Sequence, residues 1–264
     1  MKLIRNYFEY VGGQTLSFYS GISEALYFSS LCIIHLFSPS SYHPAMRSVL
    51  LKQIYFTVVQ ILPSFIFIGF FFGSLTVGYV ITLAMQYGLK DQIGSMLIGF
   101  VFNEFAPLFT AMLIALRSGA AVNAEMAVMQ VSGELNTLKQ FDIGLIDYLF
   151  LPRIISGMIS SVALAILFAI IMLTGGYFFV FLYMGMDLNA YINTLLTSVQ
   201  ISNLGFLIGK SMAFGFVIMV IPIYSGLTTI KAFNAIPIAV LNGMVRLFIA
   251  IFTIEVFSFL FHLI

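Results

Sequence analysis

The sequence predicts an all-α protein that crosses a membrane several times. Three observations support this: apolar residues make up 61% of the 264-residue chain, charged residues make up only 8%, and long stretches carry no charge. A soluble domain needs roughly 25% charged residues to cover its surface. The uncharged stretch 154–186 is instead long enough to cross the hydrocarbon core of a bilayer as a helix.

The composition also excludes several classes of function. A net charge of +1 does not suit a protein that binds nucleic acid through phosphate contacts. The single cysteine, Cys32, excludes an intrachain disulfide and a cysteine-based metal cage. Phosphate-binding loops, Ser/His/Asp arrangements and HExxH motifs are absent from the sequence, and the three histidines share no metal-ligand spacing. We therefore expect no catalytic residue, no metal ligand and no cofactor bound by this chain.

We expect residues 1–45 to form a helical region that lies in the membrane interface. Its apolar residues follow a spacing of three and four, and polar residues fill the opposite face. The apolar positions are Leu3, Ile4, Tyr7, Phe8 and Val11. The stretch 25–37 is too short to span and continues this region. An ordinary surface helix is the alternative, and a signal peptide is excluded because Glu9, Gly12 and Gly13 interrupt the apolar run.

Five membrane spans follow within a single domain that covers residues 1–264. Their predicted limits are 54–85, 93–116, 149–186, 204–224 and 238–261. Pro63 and nearby glycines favour a kink or a re-entrant turn in the first span, which could then be counted as two. The glycine pairs Gly69/Gly73 and Gly205/Gly209 provide flat faces for close contact between helices.

The distribution of lysine and arginine predicts the orientation of the spans. Positive charges concentrate on the cytoplasmic side of membrane proteins. Eight of the eleven lie on one side of the five-span arrangement: Lys2, Arg5, Arg47, Lys52, Arg117, Lys139, Arg153 and Lys231. Lys90 lies on the other side, and Lys210 and Arg246 lie within spans. The N-terminus is therefore expected to be cytoplasmic, and the C-terminus is expected on the far side.

Glu104 lies in the middle of the second span, next to Asn103 and three residues before Pro107. A carboxylate at membrane depth is costly unless it is protonated, paired or hydrated. Pro107 frees a backbone carbonyl one turn earlier, so we expect the span to be broken near Asn103. Polar groups at a broken helix are typical of a substrate site or a gate. The alternative is a structural ion pair with Arg246 or Lys210.

The fifth span carries Arg246 and Glu255, nine positions apart and on nearly opposite sides of the helix. They cannot pair with each other, so each needs a partner on another helix. Lys210, in the fourth span, is expected to pair or to extend its ammonium toward the interface.

Residues 117–148, between the second and third spans, are predicted to form a cytoplasmic coupling segment. Small residues follow Arg117, and an amphipathic stretch that contains Glu125 and Glu134 comes next. An amphipathic helix in this position is suited to bind a soluble subunit. A simple connecting loop is the alternative.

Residues 103–153 resemble the MlaE-type permeases of MCE-associated lipid ABC transporters. The residues that match the family pattern at the same spacing are Glu104, Pro107, Arg117, Gly119, Glu125, Met129, Leu138, Pro152 and Arg153. The stretches 209–215 and 224–226 resemble the fourth span of the family and the loop after it. Three positions depart from the pattern: Gly133-Glu134 replaces a Glu-Gln pair, Gly144-Leu145 replaces Asp-Pro, and Leu116 replaces a glycine.

The resemblance implies a homodimeric permease of a bacterial inner membrane that moves phospholipids between the inner and outer membranes. Its expected partners are a cytoplasmic ABC ATPase that binds the ATP, a periplasmic MCE-domain lipid-binding protein and, in some systems, a STAS-like subunit. The lipid pathway would include Asn103, Glu104, Pro107 and Arg246. Contact with the ATPase would involve Arg117, Gly119, Glu125 and Glu134.

Two other classes of function are compatible with a membrane protein of this kind. One is a scaffold or assembly factor that transports nothing. The other is a lipid-modifying membrane enzyme, which would need a convergent acid–base or metal constellation that the sequence lacks. Co-purification of an ATPase whose activity is stimulated by lipid would separate the permease from both.

Overall fold

The computed structural model describes residues 23–39, 44–185 and 187–263, and within these ranges the chain is helical without strands. The apolar positions between Leu3 and Val11, which we assigned to an interfacial helix, lie outside the described residues. The first described helix, α1 (Ser23–Leu36), is apolar but too short to cross a membrane.

Two helices replace the single long element expected between Lys52 and Lys90. Helix α2 covers Pro44–Val58, and α3 covers Leu62–Gln86. Pro63 lies in the first turn of α3 and therefore does not kink it, because the N–H that proline lacks has no partner there in any helix. The first long apolar helix thus begins at Leu62, eight residues later than the predicted limit of 54.

The second span belongs to one helical rod that continues well beyond Arg117. Its parts are α4 (Ile93–Ile98), a π-helical segment (Gly99–Phe105), α5 (Ala106–Ile114), a second π-helical segment (Ala115–Gly119) and α6 (Ala120–Ser132). The break expected near Asn103 takes the form of the first π-helical segment, so the chain does not leave the helix. The N–H of Ala106 donates to the carbonyl of Val101, five residues earlier, which accommodates Pro107 without ending the helix.

Helix α6 ends at Gly133, whose φ of +84° lies in the left-handed region that glycine adopts without strain. A short helix, α7 (Glu134–Gln140), follows and begins with an acidic residue, which is favourable at a helix N-terminus. A third π-helical segment (Ile146–Phe150) leads into the next long helix. The predicted coupling segment therefore consists of α6, α7 and the turn after them.

The remaining helices are α8 (Leu151–Met184), α9 (Leu188–Ser198), α10 (Ile201–Leu227) and α11 (Ile236–Leu263). Within the described residues, five helical stretches are long and apolar enough to cross a membrane. They contain α3, the α4–α6 rod, α8, α10 and α11. The all-α polytopic membrane fold predicted from composition is confirmed, and α11 is the least buried of the five spans.

Candidate functional site

A group of three charged side chains joins the second, fourth and fifth spans within their apolar stretches. The ammonium of Lys210 on α10 lies 2.7 Å from Glu104 Oε2 and 3.0 Å from Glu255 Oε2 on α11. The Lys210 side chain is 3% exposed, Glu104 is 21% exposed and Glu255 is 15% exposed. We call these three residues the charge cluster. It contains two acidic groups and one basic group, and the same lysine pairs with both acidic groups.

The backbone beside Glu104 explains why a lysine is needed there. Asn103 is four residues before Pro107, and Pro107 has no N–H to donate to the carbonyl of Asn103. The Lys210 ammonium donates to that carbonyl at 2.7 Å. The carbonyl that Pro107 was predicted to free is therefore satisfied by a side chain from α10. Buried polar groups need such partners, because an unpaired carbonyl in an apolar environment is costly.

An open groove between α10 and α11 leads to the charge cluster. It has a volume of about 560 Å³ and includes Lys210 in its lining. Its other lining residues are Gly205, Phe206, Gly209, Ile254, Phe257, Ser258 and Phe261. A Cβ atom placed on Gly205 or Gly209 would meet no atom of the chain within 4 Å. The sequence indicated that these two glycines provide a flat face for close helix contact, and within the described residues this face is open.

The groove and the charge cluster together suit an amphiphilic ligand. The wall of the groove is mainly apolar, and a buried ammonium lies at one point of that wall. Ligand sites of this kind combine an apolar lining with a small number of polar groups that orient the ligand. Among the described residues no group of three or more His, Cys, Asp or Glu side chains could hold a metal ion.

Arg246, which we assigned to the same pathway, lies apart from the charge cluster. It is exposed on α11, nine residues before Glu255. The structure therefore brings together Asn103, Glu104 and Pro107 with Lys210 and Glu255, and it leaves Arg246 at another level of the helix. Sequence reasoning identified Lys210 and Glu255 as charges that need partners, but it did not include them in the site.

Two of the predicted coupling residues bind within the chain near the second π-helical segment. The guanidinium of Arg117 donates to the backbone carbonyl of Gln60 and, at 3.0 Å, to Gln60 Oε1. This contact fixes the rod to the turn between α2 and α3. Gly119 faces α11, because a Cβ atom there would lie 3.1 Å from Leu247 Cδ2. Arg117 thus bonds the rod to the turn before α3, and Gly119 allows the rod to pack closely against α11.

The other two predicted coupling residues differ from each other in their surroundings. Glu125 accepts a hydrogen bond from Arg153 at 2.7 Å, and this pair joins α6 to the start of α8. The Arg153 side chain is 4% exposed, so Glu125 neutralises a charge that is otherwise buried. Glu134 is exposed at the start of α7. Glu125, whose side chain is 53% exposed, and Glu134 are therefore both accessible to another protein, and Glu125 is in addition paired with Arg153 within the chain.

A second cavity lies beside the coupling segment. It has a volume of about 590 Å³ and lies between α1, α7, the turn after α7 and the end of α10. Phe28, Asn136, Lys139, Asp142 and Leu227 are among its lining residues. Helix α1 is held at this end of the molecule, since His35 Nδ1 lies 2.8 Å from Asp147 Oδ1.

Comparisons with known proteins agree with this architecture. The chain matches the family described as Permease MlaE over residues 50–261. A probable ABC transporter permease protein of Rickettsia typhi is 24% identical over 244 residues, which cover 92% of this chain and 93% of that protein. The intermembrane phospholipid transport system permease protein MlaE of Haemophilus influenzae is 26% identical over 203 residues, or 75% of this chain and 74% of that protein.

A chloroplast protein is also similar. Protein TRIGALACTOSYLDIACYLGLYCEROL 1, chloroplastic, of Arabidopsis thaliana is 29% identical over 179 residues, which cover 66% of this chain and 51% of that protein. The family match contains all five long apolar helices except the end of the last, together with the charge cluster and the coupling segment. The chain, a multi-pass membrane protein, belongs to the MlaE permease family.

Proposed function

We propose that this chain is the membrane-spanning subunit of an ATP-driven transporter that moves phospholipids between the inner and outer membranes of a bacterium. The observation that carries the proposal is the apolar groove whose lining includes the buried Lys210 ammonium. The similarity to the phospholipid permease of Haemophilus influenzae supports the class of substrate. The chain itself catalyses no reaction in this proposal, and a separate ATPase binds and hydrolyses the ATP.

A phospholipid matches both features of the groove. Its acyl chains would lie against the apolar lining, and its phosphate would approach the ammonium of Lys210. Glu104 and Glu255 hold that ammonium in place. Because a phosphate and a carboxylate compete for the same cation, Glu104 would gate the site: it releases part of its hold on Lys210 when a lipid arrives.

A second copy of the chain is expected to complete the pathway. Helix α11 exposes a regular stripe of large apolar side chains at intervals of three and four residues: Ile238, Leu241, Val245, Ile249, Phe252, Val256 and Phe259. This spacing is typical of a helix face that packs on another helix. The groove residues Ile254, Phe257 and Phe261 lie on nearly the opposite side of α11 from this stripe. A second copy that packs along the stripe would therefore border the pathway through α11 and leave the groove itself open to lipid. Symmetric dimers are the commonest form of oligomer.

The remaining assignments follow from the family and from the distribution of charge. The end of the bundle that carries α6, α7 and most of the lysines and arginines would face the cytoplasm and bind the ATPase. The N-terminus would be cytoplasmic and the C-terminus periplasmic. A periplasmic MCE-domain protein would receive or deliver the lipid, and a STAS-like subunit would be a further cytoplasmic partner in some systems.

Glu134 is the proposed anchor for the ATPase. A Glu134→Lys substitution should uncouple ATP hydrolysis from lipid movement or release the ATPase, because the partner surface that attracts a carboxylate repels an ammonium. Co-purification and transport assays measure both effects. Asn193→Lys, at an exposed position on α9, is the matched control. If the Glu134→Lys complex keeps its ATPase and transports lipid normally, the docking surface lies elsewhere, and residues 225–237 are the next candidate.

Reconstitution of the complete complex in liposomes tests the proposed function. The wild-type complex should move a labelled phospholipid only when ATP is supplied. Glu104→Ala should abolish most of this movement while the chain still inserts and assembles with its ATPase. Asp91→Asn, at an exposed position outside the spans, is the control for loss of an acidic group. Normal transport by Glu104→Ala at normal expression would contradict the gating role, and a complex that never moves lipid would contradict the function.

A further inference from the structure

The first turns of α11 are attached to α6 by one buried asparagine. Asn123 is fully buried, and its Nδ2 atom donates to the backbone carbonyls of Ala239 and Val240, each at 3.4 Å. Ser225 on α10 donates to the carbonyl of Ala239 from its Oγ atom at 3.1 Å. Three helices therefore meet at two neighbouring carbonyl groups. We call this arrangement the Asn123 junction.

Two glycines allow the three helices to approach each other at the Asn123 junction. A Cβ atom on Gly243 of α11 would overlap the amide of Asn123 and would lie 2.6 Å from Ser225 Oγ. A Cβ atom on Gly226 of α10 would lie 3.0 Å from the carbonyl oxygen of Asn123. No side chain fits in either place unless these neighbouring atoms move. At Gly243 the backbone of α11 therefore lies against the short side chains of Asn123 and Ser225, and at Gly226 the backbone of α10 lies against the backbone of α6.

The same three helices also meet at the charge cluster, far from the Asn123 junction. Asn123 follows Glu104 by 19 positions on the rod, Ser225 follows Lys210 by 15 on α10, and Ala239 precedes Glu255 by 16 on α11. At 1.5 Å per residue, these separations correspond to about 28, 22 and 24 Å along the helix axes. The rod, α10 and α11 are thus fastened together near both ends of their shared length.

This double attachment has a mechanical consequence. A helix fastened at one point can tilt away from its neighbour, whereas helices fastened at two separated points move together as long as both contacts hold. Packed protein interiors transmit displacement because they are dense and poorly compressible. Helix α6 belongs to the predicted coupling segment, so any movement of that segment reaches α11 directly at the Asn123 junction.

We propose that the Asn123 junction transmits movement of the coupling segment to α11, the helix whose exposed face and groove border the lipid pathway. The inference rests on the proposed function, and it assigns Asn123 a role as a positioning residue. Asn123 contacts neither lipid nor ATPase in this scheme. It keeps α6, α10 and α11 in register, so that an ATP-driven displacement of α6 moves the wall of the groove and does not merely bend the rod.

The test measures how many ATP molecules the complete complex hydrolyses for each phospholipid moved in liposomes. Removal of the junction in Asn123→Ala should raise this ratio about tenfold, within the usual range of coupling between distant sites. ATPase binding and the basal rate of ATP hydrolysis should stay unchanged. Asn193→Ala, at an exposed position on α9, is the matched control and should keep the wild-type ratio. Asn123→Leu, which has a similar volume and no donor group, replaces Asn123→Ala if the complex is obtained in low yield.

A steric rescue separates a coupling role from general damage. Gly243→Ala alone should raise the ratio as strongly as Asn123→Ala, because the added methyl group displaces α11 from the junction. In the double variant Asn123→Ala/Gly243→Ala the overlap with the Asn123 amide is gone, while Ser225 Cβ still lies 2.8 Å from the added methyl group. The ratio should therefore rise by less than the product of the two single increases. If the increase in this ratio in the double variant equals the product of the increases in the two single variants, the residues act independently, and the proposed junction is overturned.

Hydrogen exchange provides a readout that does not depend on transport. In the wild-type complex, ATP should change the protection of amides both in α6 and in the first turns of α11. In Asn123→Ala the change should persist in α6 and disappear from α11. A wild-type ratio in Asn123→Ala or Asn123→Leu, in a complex that transports lipid, overturns the junction alone. A wild-type complex that fails to transport overturns the proposed function instead.

Discussion

The contact between α3 and α8 differs from the face shared by α10 and α11, although both contain paired glycines four residues apart. On α3, a Cβ atom on Gly73 would lie 2.5 Å from Met172 Cα, so the two backbones touch. On α10, the equivalent atoms on Gly205 and Gly209 would meet nothing. The same small-residue pattern is therefore used for packing within the chain in one region and leaves a surface open in the other.

Glycine spacing therefore predicts a flat helix face, but it does not predict which neighbour packs against that face. The α3–α8 contact is complete within one chain. The α10–α11 face carries an open groove and a buried lysine, which we assign to lipid. The other side of α11 exposes an apolar stripe, which we assign to a second copy. Substitutions in the first region should therefore act on folding, and substitutions in the second should act on transport.

The largest expected effect is on folding, at the packed face. Gly73→Leu places a side chain where the backbone of Met172 lies, and overpacking of this kind costs about 3 kcal/mol or more because a backbone cannot move aside easily. We expect little folded protein after extraction into detergent, measured as a monodisperse peak in size-exclusion chromatography. Normal yield and thermal stability would show that the α3–α8 contact is not tight.

Loss of the lysine in the charge cluster should have the next largest effect. Lys210→Met leaves Glu104 and Glu255 without their shared cation and the carbonyl of Asn103 without its donor. Removing one partner of a buried ion pair destabilises by about 3–5 kcal/mol. We expect a lower melting temperature in detergent and no transport. The triple variant Lys210→Met/Glu104→Gln/Glu255→Gln, which removes all three charges, should recover stability but not transport.

Gly209→Leu should separate transport from stability at the open face. A Cβ atom at this position meets no atom within 4 Å, so the side chain enters the open groove. The free energy of unfolding should therefore stay within about 0.5 kcal/mol of the wild-type value, and the melting temperature should change little. Lipid transport in liposomes should fall severalfold because the groove is filled. Gly209→Ser is the smaller control. If Gly209→Leu transports normally, lipid does not pass through this groove.

A cross-linking experiment tests whether a second copy covers α11. In a Cys32→Ser background, a cysteine at Phe252 lies on the exposed stripe of α11, whereas one at Phe67 lies on an exposed position of α3. Oxidation in native membranes should give a discrete dimer for Phe252→Cys and little product for Phe67→Cys. Equal cross-linking at both positions would contradict dimerisation along α11.

The smallest expected effect concerns the packing of α1. Cys32 is fully buried, and burial raises the pKa of its thiol to about 11. The reactive thiolate is scarce below that pKa, so maleimide should label Cys32 slowly at pH 7 and faster as the pH approaches 11. A cysteine introduced at the exposed position Tyr27 of the same helix should react readily at pH 7. Rapid labelling of Cys32 at pH 7 would mean that α1 does not pack as described.

Local chemistry made part of this molecule predictable. The scarcity of charge required membrane spans, and Pro107 had to disturb the helix at Asn103 because proline lacks an N–H. The spacing of Glu104, Arg117 and Arg153 was enough to indicate the family. Each of these inferences depends on neighbours in the chain or on average composition, and such properties are present in the sequence whatever the helices later contact.

Partner choice was decided by tertiary structure. Glu104 could have paired with Lys210 or Arg246, and only the arrangement of α10 and α11 selects Lys210. Glu125 suggested a surface for the ATPase, and the sequence did not indicate that packing of α6 against α8 also pairs it with Arg153. Asn123 carried no signal in the sequence, since its role depends on carbonyls that lie 116 and 117 residues away. Contacts between distant segments depend on how helices cross, and helical periodicity within one segment contains no information about the crossing.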